Sequence, residues 1–194
     1  MKSVVLLGSV LLLSACGSMQ SQVVKKNVAF NPDNQAQIRS YGSYGSDLIR
    51  IYPETDCAKW EGTKRNAVNR RFVNGLPRKV RNISIGIPPT ELSRKTEKDT
   101  GFIFRDSYRE MVVSANQPVV LDGAFSSQTR NQHYSCRVAA SFTPKAGEAY
   151  EVRYLSEEEG CDIEVYHIGH EEKDGIRQTK KLTANYCARP GTSF

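Results

Sequence analysis

The sequence predicts an all-β domain that folds as an antiparallel β-sandwich, of either the immunoglobulin-like or the transthyretin-like type. Two observations lead to this prediction. Apolar and polar residues alternate in several short runs, which is the pattern of strands buried on one face. Turn-forming residues separate these runs at short intervals, as they do in sandwiches. Residues 35–194 are assigned to one such domain, a length that can bury a substantial core.

The N-terminus has the features of a lipoprotein signal peptide. Lys2 precedes an apolar run at residues 4–13, which is too short for a transmembrane helix of about twenty residues. The run closes on Leu13-Ser14-Ala15-Cys16, which resembles the lipobox of bacterial lipoproteins. This resemblance implies that residues 1–15 are removed and that Cys16 is acylated. Two or three acyl chains on this residue would anchor the protein stably in a membrane. The alternative is a plain secretory signal with an incidental cysteine.

The residue after the cysteine and the net charge bear on location and partners. Gly17 occupies the position at which an aspartate retains lipoproteins of two-membrane bacteria in the inner membrane. The resemblance therefore implies an outer-membrane anchor with the domain facing the periplasm. The formal net charge is +6, and an exported basic protein meets anionic lipid, lipopolysaccharide and peptidoglycan rather than DNA. The predicted partners are outer-membrane lipid, through acylated Cys16, and an envelope protein, with no nucleic acid.

A tether and a hairpin are predicted for the first part of the mature chain. Residues 16–34 are polar and typical of a flexible linker, although four apolar residues allow its end to pack as a first strand: Val23, Val24, Val28 and Phe30. Residues 36–41 and 48–52 alternate as strands do, and the glycines and serines between them indicate a hairpin. Pro53 ends the second strand because it has no amide hydrogen for the ladder.

A basic segment follows at residues 59–81, with eight basic residues and one acid, Glu61. We interpret it as a long loop with a short helical turn near residues 65–72. A cation near an anionic surface contributes about 1 kcal/mol of binding free energy. Six residues are therefore candidates for binding lipid phosphates or lipopolysaccharide: Lys64, Arg65, Arg70, Arg71, Arg78 and Lys79. The alternative is a solvated loop.

The remaining strands are predicted in the second half of the chain. Ile83, Ile85 and Ile87 alternate before Pro88-Pro89, which indicates a strand with a sharp end. Residues 91–100 are charged and predict a mobile loop. Further strands, separated by turn residues, are predicted at residues 108–114, 119–125, 136–142, 148–155, 161–168 and 176–182.

The cysteine count supports the lipid anchor. Assigning Cys16 to the lipid leaves an even number of cysteines, which fits two disulfides in an oxidising periplasm: Cys57, Cys136, Cys161 and Cys187. Four cysteines allow three connectivities. A zinc site is a weaker alternative, because no two of the four have the two-to-four-residue spacing of a zinc knuckle.

Three segments resemble a group of small proteobacterial lipoproteins whose activity is not established. They are residues 36–39, 84–88 and 136–152. In that group, a Phe-Thr-Pro stretch and an Ala-Gly turn precede a tyrosine-containing strand, with a cysteine on either side. Phe142-Thr143-Pro144, Ala146-Gly147 and Tyr150 match this pattern. The resemblance implies a lipoprotein with a disulfide-containing β domain, and it implies no activity and no cofactor.

The preferred disulfide pairing follows from an expected meander around residues 148–155, with Tyr150, Val152 and Tyr154 on its buried face. A meander puts Cys136 and Cys161 at the same end of this strand, on its two neighbours. Flat strands two positions apart lie about 9.5 Å apart, whereas a disulfide tolerates about 7 Å between α-carbons. A bulge or a position beyond the strand ends must therefore close the gap. The preferred pairs are Cys136–Cys161 and Cys57–Cys187, each worth on the order of 3 to 4 kcal/mol.

The sequence contains no recognisable catalytic constellation. It has three histidines, and it lacks Gly-x-Ser-x-Gly, a phosphate-binding glycine loop and His-Glu-x-x-His. His167 and His170 would point to opposite faces of a strand, so we interpret them as part of a surface loop. We expect no metal. The neighbouring acids at residues 157–159 and 171–172 are interpreted as solvated charge rather than as a glycosidase pair.

The predicted function is therefore a non-enzymatic outer-membrane lipoprotein that serves as a protein-interaction or envelope-structural module. One alternative is a small-ligand, glycan or lipid-binding lipoprotein, which requires aromatic side chains to converge. The aromatic residues that could do so are Tyr41, Tyr44, Tyr52 and Trp60. The third candidate is an envelope hydrolase, which requires a buried carboxylate pair or a metal in a cleft.

Overall fold

Two packed β-sheets, a separate two-stranded pair and one short helix are the regular elements of the described part of the chain, which confirms the predicted sandwich. The computed structural model describes residues 23–42, 48–63, 66–68, 72–73, 76–77, 81–99, 106–128, 133–157 and 160–188. In chain order, the elements are β1 (Val23–Lys25), β2 (Gln35–Gly42), β3 (Leu48–Tyr52), β4 (Asn66–Val68), β5 (Phe72–Val73), β6 (Leu76–Pro77), β7 (Asn82–Ser84), α1 (Glu91–Lys98), β8 (Ser107–Ser114), β9 (Val119–Gln128), β10 (His133–Phe142), β11 (Ala149–Glu157), β12 (Gly160–Lys173), β13 (Ile176–Leu182) and β14 (Asn185–Tyr186). No helix among these residues is long and apolar enough to cross a membrane.

The larger sheet has seven strands in the order β1-β7-β8-β2-β11-β12-β13. Three of its neighbouring pairs run parallel, namely β1 with β7, β7 with β8, and β2 with β11. The smaller sheet has five strands in the order β14-β10-β9-β3-β4, and all of its pairs are antiparallel. β5 and β6 form a separate two-stranded pair.

The core lies between the inner faces of the two sheets. Alternate residues of each strand point inward, so β11 contributes Tyr150, Val152 and Tyr154, as the sequence predicts. Leu121 of β9 and Ile51 of β3 face them from the smaller sheet and are fully buried. The close packing of these side chains buries apolar surface and so stabilises the sandwich.

The predicted hairpin between residues 36–41 and 48–52 is wrong, although both strands exist. β2 pairs with β8 and β11 in the larger sheet, whereas β3 pairs with β9 and β4 in the smaller one. Both edges of β2 are occupied by other strands, so the chain crosses to the other sheet after Gly42. The linking residues 43–47 lie outside the described residues. The end of the predicted tether does pack as a strand, because β1 begins at Val23.

The predicted mobile loop at residues 91–100 is also wrong, because α1 occupies Glu91–Lys98. Thr90 is the N-cap and forms a capping box with Ser93. Glu91 in the first turn, and Lys95 and Lys98 in the last turn, complement the helix dipole.

Residues 59–81 contain short strands rather than the predicted helical turn, since β4 lies within residues 65–72. The strand predicted at Ile83, Ile85 and Ile87 ends at Ser84. The amides of residues 85–87 bind the Glu110 carboxylate instead of continuing a strand ladder.

Both preferred disulfides are present in the structure. Cys136 and Cys161 have α-carbons 6.0 Å apart, and Cys57 and Cys187 have α-carbons 5.0 Å apart. The meander expected around β11 is wrong, because β10 belongs to the smaller sheet and β12 to the larger one. The Cys136–Cys161 bond therefore joins the two sheets, which brings the cysteines together without the bulge that a meander required.

Candidate functional site

Buried charges lie on the outer face of the larger sheet, the face turned away from the core. Arg39 of β2 is paired by register with Glu110 of β8 on one side and with Glu151 of β11 on the other. The exposed fractions of these three residues are only 1%, 3% and 2%. They form the centre of what we term the Arg39 network, which also includes Tyr41 and Thr90. Burying charges is costly unless each is paired and hydrogen-bonded.

The Arg39 guanidinium satisfies this condition. Its Nε and Nη2 donate to Glu110 Oε1 at 2.9 and 2.7 Å, and its Nη1 donates to Glu151 Oε1 at 2.9 Å. Nη2 also donates to the carbonyls of Ile87 and Pro88. Burial lowers the pKa of Arg39, but its interactions with Tyr41, Glu110 and Glu151 outweigh burial and raise the pKa above its ordinary value. The side chain therefore stays positively charged.

The Glu110 carboxylate fixes the segment between β7 and α1. Its Oε2 accepts hydrogen bonds from the amides of Ile85, Gly86 and Ile87 at 2.6, 3.1 and 3.2 Å, and from Ser84 Oγ at 2.9 Å. Gly86 has a φ of +104°, which glycine adopts without strain. Three consecutive amides around one carboxylate hold this turn against the sheet.

Glu151 fixes the start of the helix in the same way. Its Oε1 accepts from Tyr41 Oη and from Thr90 Oγ1, and Thr90 Oγ1 in turn accepts from the Ser93 amide. Burial and the neighbouring Glu151 raise the pKa of Tyr41, which stays a hydrogen-bond donor. The N-terminus of α1 is thus attached to the sheet by polar contacts.

A groove of about 700 Å³ lies between α1 and the outer face of the larger sheet. We term it the α1 groove. The sheet side includes Arg153 and Leu155 of β11 and Ile176 of β13, with Tyr41 from β2. The helix side and its flanks contribute Glu91, Leu92, Arg94, Lys95, Thr96, Lys98, Asp99 and Asp106. Its lining is therefore a mixture of apolar and charged side chains.

The charges that line the α1 groove are unequally paired. Arg153 binds Glu164 at 2.5 Å, and Arg94 lies 3.6 Å from Glu97. Lys95 and Lys98 are exposed and make no ion pair within the described part of the chain. Among the groove acids, Glu91 likewise has no ion pair with another described residue. The groove lining thus carries four cations (Arg94, Lys95, Lys98 and Arg153) against three acids (Glu91, Asp99 and Asp106), and Lys95 and Lys98 have no ion pair among the described residues.

A second charged cluster lies on the outer face of the smaller sheet. Asp122 of β9 is fully buried and binds Arg50 at 2.9 Å and Arg137 at 2.8 Å. The hydrogen bond with Asp122 raises the pKa of Arg137. Arg137 also lies over the Trp60 ring, 5.4 Å from its centroid, and Trp60 packs edge-on against Tyr52. This cluster joins β3, β9 and β10 on the outer face of the smaller sheet.

The predicted lipidation site Cys16 and all six residues predicted to bind an anionic surface lie outside the described residues, the six being Lys64, Arg65, Arg70, Arg71, Arg78 and Lys79. The aromatic residues proposed for ligand binding do not converge. Tyr41 lies on the larger sheet beside Tyr108, whereas Tyr52 and Trp60 lie on the smaller one, and Tyr44 is outside the described residues.

The histidines lie on strands rather than in the predicted surface loop. His167 and His170 belong to β12, where a bulge between Ile168 and Glu172 breaks the alternation. As a result, both Nε2 atoms approach Glu148 Oε2, at 2.6 and 3.6 Å. The hydrogen bond with His167 lowers the pKa of Glu148. Within the described stretches, no cluster of three or more His, Cys, Asp or Glu side chains could hold a metal ion.

The Arg39 network was not predicted from the sequence, although a signal for it is present there. Arg39 lies between Ile38 and Ser40, and Glu151 lies between Tyr150 and Val152, inside strands whose alternate residues are apolar. Such charges are usually solvated, and here α1 and the preceding segment cover them.

Comparisons of the chain with protein-family models, curated proteins and solved structures find no significant match.

Proposed function

We propose that this protein is a lipid-anchored, non-enzymatic binding protein of the outer membrane. In this proposal the anchor is acylated Cys16, the sandwich faces the periplasm, and the α1 groove binds an acidic segment of another envelope protein. Anchoring and location rest on the lipobox resemblance of Leu13-Ser14-Ala15-Cys16 and on Gly17. The resemblance to small proteobacterial lipoproteins is, like the lipobox, a prediction from the sequence.

The observation that carries the binding proposal is the α1 groove. Its volume of about 700 Å³ falls within the range of about 300 to 1,000 Å³ that is typical of ligand pockets. Leu92, Leu155 and Ile176 offer apolar contact, while the charged side chains around them can fix the orientation of a bound segment. A mixed lining of this kind suits a peptide, which has both a polar backbone and apolar side chains.

The ammonium groups of Lys95 and Lys98 favour an acidic partner segment. Lys95 and Lys98 stand three residues apart on one side of α1 and line the groove without an ion pair among the described residues. Complementary charge raises the association rate and disfavours partners with the wrong sign. A segment that carries two carboxylates at a similar spacing would match this pair of ammonium groups.

The rigid attachment of α1 supports a binding role more than a catalytic one. The buried carboxylates Glu110, Glu151 and Asp122 are each engaged by arginines, by backbone amides or by both. Their charges hold α1, the preceding turn and the outer face of the smaller sheet in place. A hydrolase would instead use such carboxylates at a cleft, facing a substrate.

Photo-crosslinking in cells tests the proposal. A photoreactive amino acid is placed at position 95 of the acylated protein, with position 145 as the control, because Lys145 is exposed and does not line the groove. We expect position 95 to crosslink an envelope protein through an acidic segment, and Lys98→Glu to reduce this product at least tenfold. Lys180→Glu changes the charge equally and should leave the product unchanged. Equal crosslinking from both positions, or insensitivity to Lys98→Glu, would contradict the proposal.

A further inference from the structure

We infer that the β1–β7 edge of the larger sheet is the membrane-facing surface of this protein, and that Lys25, Lys26 and Arg81 bind the phosphate groups of anionic lipids there. The inference rests on the proposed lipid anchor and goes beyond it, because it assigns an orientation to the domain and a contact surface to the bilayer.

The strand register shows which end of the sheet the tether enters. β1 runs parallel to β7, with Val23 beside Asn82 and Lys25 beside Ser84, and the Lys26 amide donates to the Ser84 carbonyl at 2.8 Å. β7 runs parallel to β8. Strands β1, β7 and β8 therefore all begin at one end of the larger sheet, which we term the anchor end.

The tether is too short for the opposite end of the domain to reach the membrane. Six residues separate Cys16 from Val23, so their α-carbons lie at most about 25 Å apart in a fully extended chain. β12 alone has 14 residues, which corresponds to a length of about 45 Å. An acylated Cys16 thus holds the anchor end near the bilayer, while the far end of β12 points into the periplasm.

The charge around β1 matches an anionic surface. Lys25, Lys26 and Arg81 are exposed and make no ion pair in the described portions of the chain. Among the described strands, β1 is the edge strand of the larger sheet, so no described strand covers its outer side.

An acidic corner at the same end determines which part of that end faces the lipid. β11 ends at Glu157 at this end of the sheet, and Glu158 and Glu159 follow it in the sequence, outside the described residues. In the sheet order, β11 lies four strand spacings from β1, which is about 19 Å. This distance is about two Debye lengths at physiological salt, so the acids do not neutralise the cations. A negative membrane attracts the β1–β7 edge and repels the acidic corner.

Hydrogen exchange of the acylated mature protein on vesicles tests the inference. Phosphatidylglycerol vesicles are compared with phosphatidylcholine vesicles. We expect amides at residues 23–26 and 81–84 to exchange at least fivefold more slowly on the anionic vesicles, and 0.5 M NaCl to abolish the difference. The triple variant Lys25→Gln, Lys26→Gln and Arg81→Gln should lose the protection, because each cation removed weakens surface binding about fivefold.

A matched control variant removes the same charge elsewhere. Lys145→Gln, Lys173→Gln and Lys180→Gln change exposed lysines away from the β1–β7 edge and should keep the protection. Protection that appears on another face, or on neither lipid, or that survives in the first variant, overturns the inference. The mass of the Cys16 peptide from the same sample reports on the anchor separately. An unacylated Cys16 overturns the anchor and the orientation together, whereas an acylated protein without the expected protection overturns the orientation alone.

Discussion

Thr90 Oγ1 donates a hydrogen bond to Glu151 Oε1, so the N-cap of α1 is held by a carboxylate that is fully enclosed on the outer face of the larger sheet. The same Glu151 oxygen also receives a hydrogen bond from Arg39. The helix that lines the candidate binding groove is therefore stabilised by the Arg39 network rather than by an apolar seam. This relationship makes the groove and the buried charges depend on each other.

Arg39→Met should strongly destabilise the fold. It leaves Glu110 and Glu151 buried without their shared cation, and breaking a buried ion pair by removing one partner typically costs about 3 to 5 kcal/mol. The free energy of unfolding from urea titration measures the loss. Arg50→Met is the matched control, with an expected cost of about 1 kcal/mol, because Asp122 keeps Arg137. Equal losses in the two variants would contradict a special role for the Arg39 network.

Thr90→Ala should loosen α1 while leaving the sandwich intact. The variant removes the N-cap acceptor for the Ser93 amide and the contact with Glu151, and loss of an N-cap costs about 1 kcal/mol. We expect faster hydrogen exchange across Glu91–Lys98 and weaker crosslinking from position 95. Thr179→Ala, an exposed site on β13, should change neither quantity. Unchanged exchange in α1 would mean that other contacts hold the helix.

The sequence predicts where the strands lie better than it predicts which strands pair with one another. β13 at Ile176–Leu182 and β8 at Ser107–Ser114 match the predicted ranges closely, because alternation is a local property of the chain. Whether the chain returns to the same sheet or crosses to the other one is not local. Glycines and serines after Gly42 are equally compatible with a return to the same sheet and with a crossing to the other one. The predicted hairpin was therefore wrong.

α1 and the α1 groove are harder to predict from the sequence than the strands are. α1 buries Ser93 and Thr96, so it has no apolar stripe of helical period to reveal it. Its capping residues are present in the sequence, but they are short signals inside a charged stretch. The groove depends on this helix and on the pairing of β2, β8 and β11, none of which the residue pattern alone determines.

Gly123→Ala should destabilise the core through one contact. A Cβ at this position would lie 2.3 Å from Cδ2 of the Tyr154 ring, which is far closer than packing allows. Overpacking of this kind costs about 1 to 3 kcal/mol. In a Tyr154→Ala background the same change should cost little, so a double-mutant cycle by urea unfolding measures the contact. An undiminished cost in that background would exclude the Tyr154 ring as the cause.

Removal of the two disulfides should have unequal effects. Cys57–Cys187 closes a sequence separation of 130 residues, whereas Cys136–Cys161 closes one of 25. Loop-closure entropy then predicts about 5 and about 3.5 kcal/mol of stabilisation, respectively. Paired alanine substitutions and urea titration check both values. A larger loss for the shorter loop would show that joining the two sheets, rather than limiting the unfolded chain, dominates the stabilisation.

The contact between His167 and Glu148 should make stability depend on acidic pH. The hydrogen bond from His167 lowers the pKa of Glu148 in the folded protein. A carboxyl with a lowered pKa contributes stability above its unfolded pKa of about 4.3, and this contribution is lost as the pH falls through the folded value. His167→Gln should therefore be less stable than the wild type at pH 5 to 6, by less than about 1 kcal/mol because the pair is partly exposed.

Urea titrations from pH 6 to pH 2.5 should show this difference in the free energy of unfolding shrinking towards zero. His133→Gln, at an exposed site, should show no such difference. A difference that stays constant across this range would mean that His167 stabilises the fold by packing against Tyr150 rather than through the Glu148 charge.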